Sequence, residues 1–346
     1  MIKDILKSNA RRYPNANAII FKDIRYTFRE FNERINSLAN ALMDMGLRKS
    51  DWVAMIADDC IEHVELFWAG AKIGVATSVL NPALLEKDLF HLIGNGKAAA
   101  VVCGYKYRNL VDSLRSTLEG VKGYISLGLS DEDFVGYEDL ISTSSSREPD
   151  IEINENDLLY FANTSGTTGL SKQVVHTHKS LFATALMDLD AMNYNINVGD
   201  VSLIGGPHFW AYLLPRITIP CFYMGSTLVI PPDLTPQGFL QSIEKEKVAN
   251  LTTGTAFLQQ LMDYPDLDKY NYSSLRRIFI FGYYPPDVWR RAVELFGNIF
   301  VVGYGLSEIG LITFLPPEDF IFDGHPEKVR RLKSCGREAL CVDAKW

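Results

Sequence analysis

Between residues 18 and 130 two apolar signals take turns along the chain. Short runs of continuous apolar character fall at 52–57, 75–80 and 98–103, and segments with apolar residues at helical spacing fall between them, at 61–72 and 84–93. Strands that are apolar on both faces and separated by helices can be satisfied only by a parallel sheet covered on both sides. The stretch therefore reads as an open α/β sheet. It is led in by a short hairpin at 18–21 and 24–26. Thr27 then opens a helix, with Glu30 three residues on completing a capping box. Phe28, Phe31, Ile35, Leu38 and Leu42 form its apolar face, and Gly46 is a natural stop.

Residues 142–157 are polar and turn-rich and read as a surface connection to a second layer. The strand–helix rhythm resumes beyond it, with strands expected at 158–162, 201–205, 250–253, 278–281 and 299–302. A chain of 346 residues suits two packed units better than one core. Its net charge of −8 argues against a nucleic-acid binder, which needs a basic face. The five cysteines are odd in number and include no C-x-x-C pair, so free thiols, mostly buried, in a reducing compartment are expected. Residues 1–8, M-I-K-D-I-L-K-S, interleave charges with single apolar residues and have no long apolar core, so no secretory signal is expected. The most apolar later stretch, 212–230, is interrupted by Pro215, Arg216, Pro220 and Gly225, so no membrane span is expected. A cytoplasmic location is the resulting expectation.

The strand at 158–162 runs into Asn163-Thr-Ser-Gly-Thr-Thr-Gly-Leu-Ser-Lys172. Gly166 and Gly169 let backbone N–H groups approach an anion. Thr164, Ser165, Thr167 and Thr168 add hydroxyl donors, and Lys172 adds a positive charge. Polyphosphate suits this composition, although an ordinary Ser/Thr-rich turn between strands is the other reading of the segment alone. It is not a Walker P-loop, because two residues separate its glycines and Gln173 follows the lysine.

The order T-S-G-T-T-G-L-S-K is very similar to the phosphate-binding signature of adenylate-forming enzymes, which include acyl-CoA and aryl-CoA synthetases, luciferases and peptide-synthetase adenylation domains. Five further regions resemble that family in the same order. They are the helix and lead-in strand from Tyr26, Phe67-Trp-Ala-Gly-Ala-Lys-Ile-Gly-Val with Leu80-Asn-Pro, Gly282-Tyr-Tyr-Pro285, Gly303-Tyr-Gly-Leu-Ser-Glu308, and Lys333-Ser-Cys-Gly-Arg337 beyond it. The fold implied is α/β, with two stacked mainly parallel sheets flanked by helices and the start of a small β-barrel-like subdomain.

The resemblance also implies a reaction. ATP and a carboxylic acid form an acyl-adenylate and pyrophosphate, and a thiol, usually that of coenzyme A, takes the acyl group. Residues 164–172 would hold the β- and γ-phosphates, with Thr164, Ser165, Gly166, Thr167, Thr168, Gly169 and Lys172 as the contacts. Glu308 would ligate Mg²⁺, with Thr164 a weaker second contact. Tyr304 would lie against adenine, Gly282, Tyr283 and Tyr284 would border the base, and Gly303 belongs to the same nucleotide set. Ser307 would reach the α-phosphate, so that Lys172, Ser307 and Glu308 form the catalytic set. The segment His208-Phe209-Trp210 with Leu214 and Gly305 would line the acyl pocket, and Ala211 would sit near the nucleotide.

Three departures from the family pattern matter. Trp210 stands where relatives carry a histidine, with His208 two residues early. Ser171 and Gln173 replace the usual proline and glycine around the lysine. Tyr283 and Tyr284 replace two small residues, and a ring pointing into the acyl pocket would favour a compact acid. His176 and His178 are expected to be structural rather than metal ligands. A family member would continue with a T-G-D motif and a small mobile domain bearing a lysine. The sequence is thus expected to hold two packed α/β subdomains in 1–325 and the beginning of an incomplete third in 326–346. The mobile C-terminal domain would be absent, and the chain alone inactive or very slow. The expected partners are ATP, a small carboxylic acid and coenzyme A, without nucleic acid, and a homodimer is left open. The alternatives are an ATP/AMP-binding module without turnover and an adenylate-forming enzyme with another acceptor, luciferase-like or carrier-loading.

Overall fold

The computed structural model of the chain describes residues 1–343 apart from 165–170, 194, 211 and 212. It divides into two compact units, one made of Met1–Asn15, Thr27–Phe182 and His208–Pro215, the other of Ala16–Tyr26, Ala183–Pro207 and Arg216–Trp346. Each is built on one sheet.

The first unit carries a seven-stranded sheet. Its strands lie in the order Val135–Gly136, Gly123–Ser126, Ala100–Cys103, Trp52–Ile56, Ala76–Leu80, Leu158–Asn163 and Gln173–Thr177. All neighbours are parallel except the last pair. The strands at Trp52–Ile56, Ala76–Leu80 and Ala100–Cys103 are buried along their whole length, as their unbroken apolar runs require. The helix Phe28–Asp44 starts with the expected capping box: the Thr27 hydroxyl accepts from the Glu30 N–H at 3.3 Å, and the Glu30 carboxylate accepts from the Thr27 N–H at 2.8 Å. The helix Ile61–Ile73 stops where Gly74 takes the left-handed conformation, at φ +72°. That helix is buried nearly all round and carries two charges inside, Glu65 and Lys72. Arg34 and Tyr137 bond Glu65, while Lys72 donates to Asn32 at 3.0 Å and Glu148 at 2.5 Å. The helix expected at 84–93 is shorter, Glu86–Phe90, and continues as a π turn over His91–Asn95.

The second unit carries a nine-stranded sheet. Its order is Arg337–Glu338, Gly310–Leu315, Phe300–Leu306, Arg277–Phe281, Asn250–Gly254, Val201–Gly205, Thr227–Ile230, Asn17–Phe21 and Ile24–Thr27. The strands from Phe300–Leu306 through Asn17–Phe21 pair in parallel, and Gly310–Leu315 turns back antiparallel. The segment expected to open a barrel-like subdomain contributes the edge strand Arg337–Glu338 to this sheet, opposite Phe314 and Thr313. Trp289 anchors the core on one face, edge-on to Phe320 at 5.2 Å and to Tyr284 at 5.1 Å.

Two expectations about chain path change. The hairpin at 18–26 does not begin the first sheet; Asn17–Phe21 pairs with Thr227–Ile230 in the nine-stranded one. The polar stretch 142–157 does not lead into a second layer, because Leu158–Asn163 pairs with Ala76–Leu80 in the sheet already under way. Apolar patterning fixes that a strand is buried on both faces, not which sheet buries it. Among the described residues no helix is long and apolar enough to cross a membrane. All five cysteines are free, with Cys103 and Cys221 buried, Cys60 half-buried, and Cys335 and Cys341 exposed.

Candidate functional site

In the seven-stranded unit the Ser/Thr/Gly segment is a loop with a closed neck. Leu158–Asn163 and Gln173–Thr177 run antiparallel with Asn163 opposite Gln173. One step further out, the Thr164 N–H donates to the Lys172 carbonyl at 2.9 Å, and the Thr164 hydroxyl reaches the same oxygen at 3.4 Å. The strand beneath is tied down by Asn163, whose amide donates to the Ser78 hydroxyl at 3.0 Å and the Val79 carbonyl at 3.2 Å. Ser78 in turn donates to the Phe161 carbonyl at 2.8 Å. Thr164 is half-buried at the neck and Lys172 is exposed. Ser165, Gly166, Thr167, Thr168 and Gly169 lie outside the described residues.

In the nine-stranded unit the parallel pairing of three strands ends side by side. Gly254 stands opposite Phe281, and Phe281 opposite Gly303. The carboxyl edge of such strands is where open α/β sheets take ligands. Gly282 leaves the middle strand at φ +121°, a conformation that side chains rarely adopt, and a Cβ there would sit 2.8 Å from the Thr255 side chain. Tyr283 turns outward and is 55% exposed. Tyr284 turns inward, is 9% exposed, and its hydroxyl donates to the Thr255 carbonyl. Its ring fills the core beside Trp289, so it takes no volume from a ligand pocket, and the compact-acid reading loses that support.

The next strand carries Gly303, Tyr304 and Gly305. Gly303 is packed so closely that a Cβ would meet the Phe279 ring at 2.7 Å. The register slips between Tyr304 and Gly305, where a Cβ on Gly305 would lie 2.0 Å from the Gly310 carbonyl. Tyr304 is left 48% exposed at the sheet edge. Ser307, Glu308 and Ile309 form the turn into Gly310–Leu315, closed by the Ile309 N–H donating to the Leu306 carbonyl at 3.2 Å. Ser307 is half-buried. Glu308 is exposed, and among the described residues it makes no ion pair. A carboxylate presented this way can accept a hard cation.

The segment expected to line the acyl pocket divides by burial. Phe209 is half-buried and Trp210 is 42% exposed, while Leu214, in the helix Leu213–Tyr223, is fully buried. Ala211 lies outside the described residues. His208 is 1% exposed and held by two residues that the sequence reading did not single out. Asp59 accepts from its backbone N–H at 2.8 Å, and the Nδ1 of His63 lies 2.9 Å from its own Nδ1. The two rings meet nearly edge-on, 5.1 Å apart. Burial lowers the pKa of both imidazoles. The neighbouring His208 lowers His63 further, and Asp59 partly offsets the effect at His208. The spacing of Asp59 and His63, one turn apart at the entry to a helix, was the only signal available in sequence. His176 and His178 are both buried, and burial draws His178 down to about 4.

Over residues 6–345 the chain matches the family described as AMP-binding enzyme. It is 26% identical over 349 residues to a long-chain-fatty-acid–CoA ligase of Mycobacterium tuberculosis, covering 98% of this chain and 65% of the relative. It is 26% identical over 360 residues to a medium-chain-fatty-acid–CoA ligase of Ectopseudomonas oleovorans, with the same two coverages, 98% and 65%. The chain thus spans about 65% of the length of these curated relatives. Its fold superposes on the N-terminal domain of FACL13 from Mycobacterium tuberculosis with a TM-score of 0.86 at 24% identity, covering 98% of this chain and 82% of that one. A match running almost end to end, with Gly282 and Gly303–Glu308 set at the carboxyl edge of one parallel sheet, makes the chain a member of the AMP-binding enzyme family.

Proposed function

We propose that this chain binds ATP and a carboxylic acid and serves an acid–thiol ligase reaction of the acyl-CoA synthetase type. In that reaction the carboxylate attacks the α-phosphate, the bond to pyrophosphate breaks, and the acyl-adenylate formed is consumed by a thiol, coenzyme A in the relatives' names. The reading rests most on the nine-stranded sheet, where Gly282 and Tyr304 each lie one residue beyond the last parallel pair, Phe281 with Gly303, with the Tyr304 ring exposed and the Glu308 carboxylate exposed in the turn that follows. Tyr304 offers a flat face to adenine, and backbone groups at Gly282, Tyr283 and Gly303 border it. Ser307 offers a hydroxyl to the α-phosphate. Lys172 and Thr164, with the rest of the 164–172 loop, would neutralise and orient the departing phosphates. Glu308 fits Mg²⁺, since it is a carboxylate with no competing cation among the described residues. Bound there, the ion would offset phosphate charge.

The test is direct titration of the chain with a non-hydrolysable acyl-adenylate mimic, alongside acid-dependent ATP–pyrophosphate exchange over a panel of short, medium-chain and aryl acids. Saturable binding that weakens at least about tenfold in Tyr304→Ala is expected, about 1.4 kcal/mol. Exchange with one acid class names the substrate, and binding without exchange favours a nucleotide-binding module. No binding of any mimic, or equal binding by Tyr304→Ala, rejects the assignment.

A further inference from the structure

Asp59 and His63 have no role above and His208 only a place in the segment expected to line the acyl pocket, yet the three converge inside the seven-stranded unit. Among the described residues they are the one set of three potential ligands whose donor atoms all lie within 4.8 Å of one another. The two Nδ1 atoms are 2.9 Å apart, and Asp59 Oδ1 is 3.8 Å from that of His208. A tetrahedral ion with bonds of about 2.0–2.1 Å has ligand–ligand edges of about 3.4 Å. The separations straddle that value, so small side-chain rotations suffice to close all three on one centre. Both imidazoles are buried, and Asp59 is 17% exposed at its side chain, leaving one side from which an ion and a water can enter.

We propose that Asp59, His63 and His208 bind one divalent transition-metal ion. Two imidazoles and one carboxylate select borderline ions such as Zn²⁺ or Co²⁺, whereas Mg²⁺ takes oxygen ligands and keeps its waters. The Asp59 charge leaves the filled site at a net single positive charge, with a fourth position for water or hydroxide. The ion would pin His208, and with it the start of the Phe209–Trp210 segment, to the entry of the helix Ile61–Ile73. The competing arrangement is a plain hydrogen bond between the two rings, which uses only one imidazole lone pair and needs no ion.

The experiment uses the 346-residue chain with Cys335 and Cys341 changed to serine, because exposed thiols bind the same ions. Metal-stripped protein is titrated with Co²⁺ and followed by its visible ligand-field absorption, and Zn²⁺ uptake is measured by equilibrium dialysis. One equivalent is expected, displaced by Zn²⁺ but not by Mg²⁺, with a rise in Tm on binding. His63→Gln should weaken uptake by at least about tenfold, the scale on which even outer-shell changes act. Asp59→Asn should do the same, and it keeps an oxygen for the His208 N–H, so its apo Tm reports whether the fold survives. A wild-type site that takes up neither ion overturns the proposal, as does uptake undiminished in both variants. Neither result touches nucleotide binding, which Tyr304→Ala tests separately.

Discussion

Replacing Arg34 with methionine removes the cation that the structure sets against the buried carboxylate of Glu65. Glu65 is fully buried, its oxygens receive Arg34 Nε at 2.6 Å and a second guanidinium nitrogen at 3.2 Å, and the Tyr137 hydroxyl donates at 3.0 Å. Burial pushes the Glu65 carboxyl up to about 7, even with Arg34 pulling it down. The raised value means the folded form holds the proton more tightly than the unfolded form. This contribution to stability is fully present below the unfolded value near 4.5 and is lost as pH rises through about 7. Without Arg34 the carboxyl must rise further, so the loss extends to higher pH. At about pH 8, breaking one side of such a pair should cost about 3–5 kcal/mol, since the buried carboxyl must either stay charged without its partner or take up a proton that the unfolded form releases. At about pH 5.5 Glu65 is protonated in both proteins, and the difference should shrink to the lost hydrogen bonds, about 1–2 kcal/mol. Urea unfolding at the two pH values, read by far-ultraviolet circular dichroism and tryptophan fluorescence, measures both differences. The double variant Arg34→Met/Glu65→Leu should recover most of the stability lost at the higher pH. A gap that is the same at both pH values, or a double variant no better than Arg34→Met, would refute the reasoning.

Glu308→Gln should slow acid-dependent exchange at least about tenfold, or about 1.4 kcal/mol, and leave Tm within a few degrees; a rate within about twofold removes Glu308 from the mechanism. Gly282→Ala should destabilise the nine-stranded unit by about 1–3 kcal/mol in urea, because its positive φ and the approach of Thr255 both oppose a Cβ, and an unchanged midpoint would show that the turn relaxes. Tyr283→Ala and Tyr284→Ala should separate sharply in the same assay: the exposed ring costs under about 0.5 kcal/mol and the core ring about 3–5 kcal/mol. Equal losses would mean that the two rings are not divided between solvent and core.

Much of this architecture is readable from local patterns. The capping box at Thr27 and Glu30, the positive-φ stop at Gly46 and the wholly buried strands at Trp52–Ile56 and Ala76–Leu80 follow from composition within a few residues. The motif at Gly303–Glu308 could be located by order alone, and it occupies a strand end and the turn after it. What escaped is non-local. Nothing near Ile19 says that its partner is Leu228, and nothing near Tyr284 says that its ring belongs with Trp289 rather than a ligand. The pairing of His63 with His208 joins positions whose chemistry is ordinary until the fold brings them together. The Pro207-His-Phe-Trp stretch suggested pocket side chains, and nothing in it says that the His208 ring is buried against His63.

The pairing of Ile19, Ile20 and Phe21 with Leu228, Val229 and Ile230 also sets an order of events during synthesis. These residues leave the ribosome well before their parallel partner, which emerges more than two hundred residues later. At elongation rates of about 5–20 residues per second, the hairpin waits about ten seconds or more with an unpaired apolar edge. The seven-stranded sheet has all its strands by Thr177 and can assemble during that interval. The waiting segment is then the chain's point of exposure to holding chaperones and to edge-to-edge association with neighbouring nascent chains.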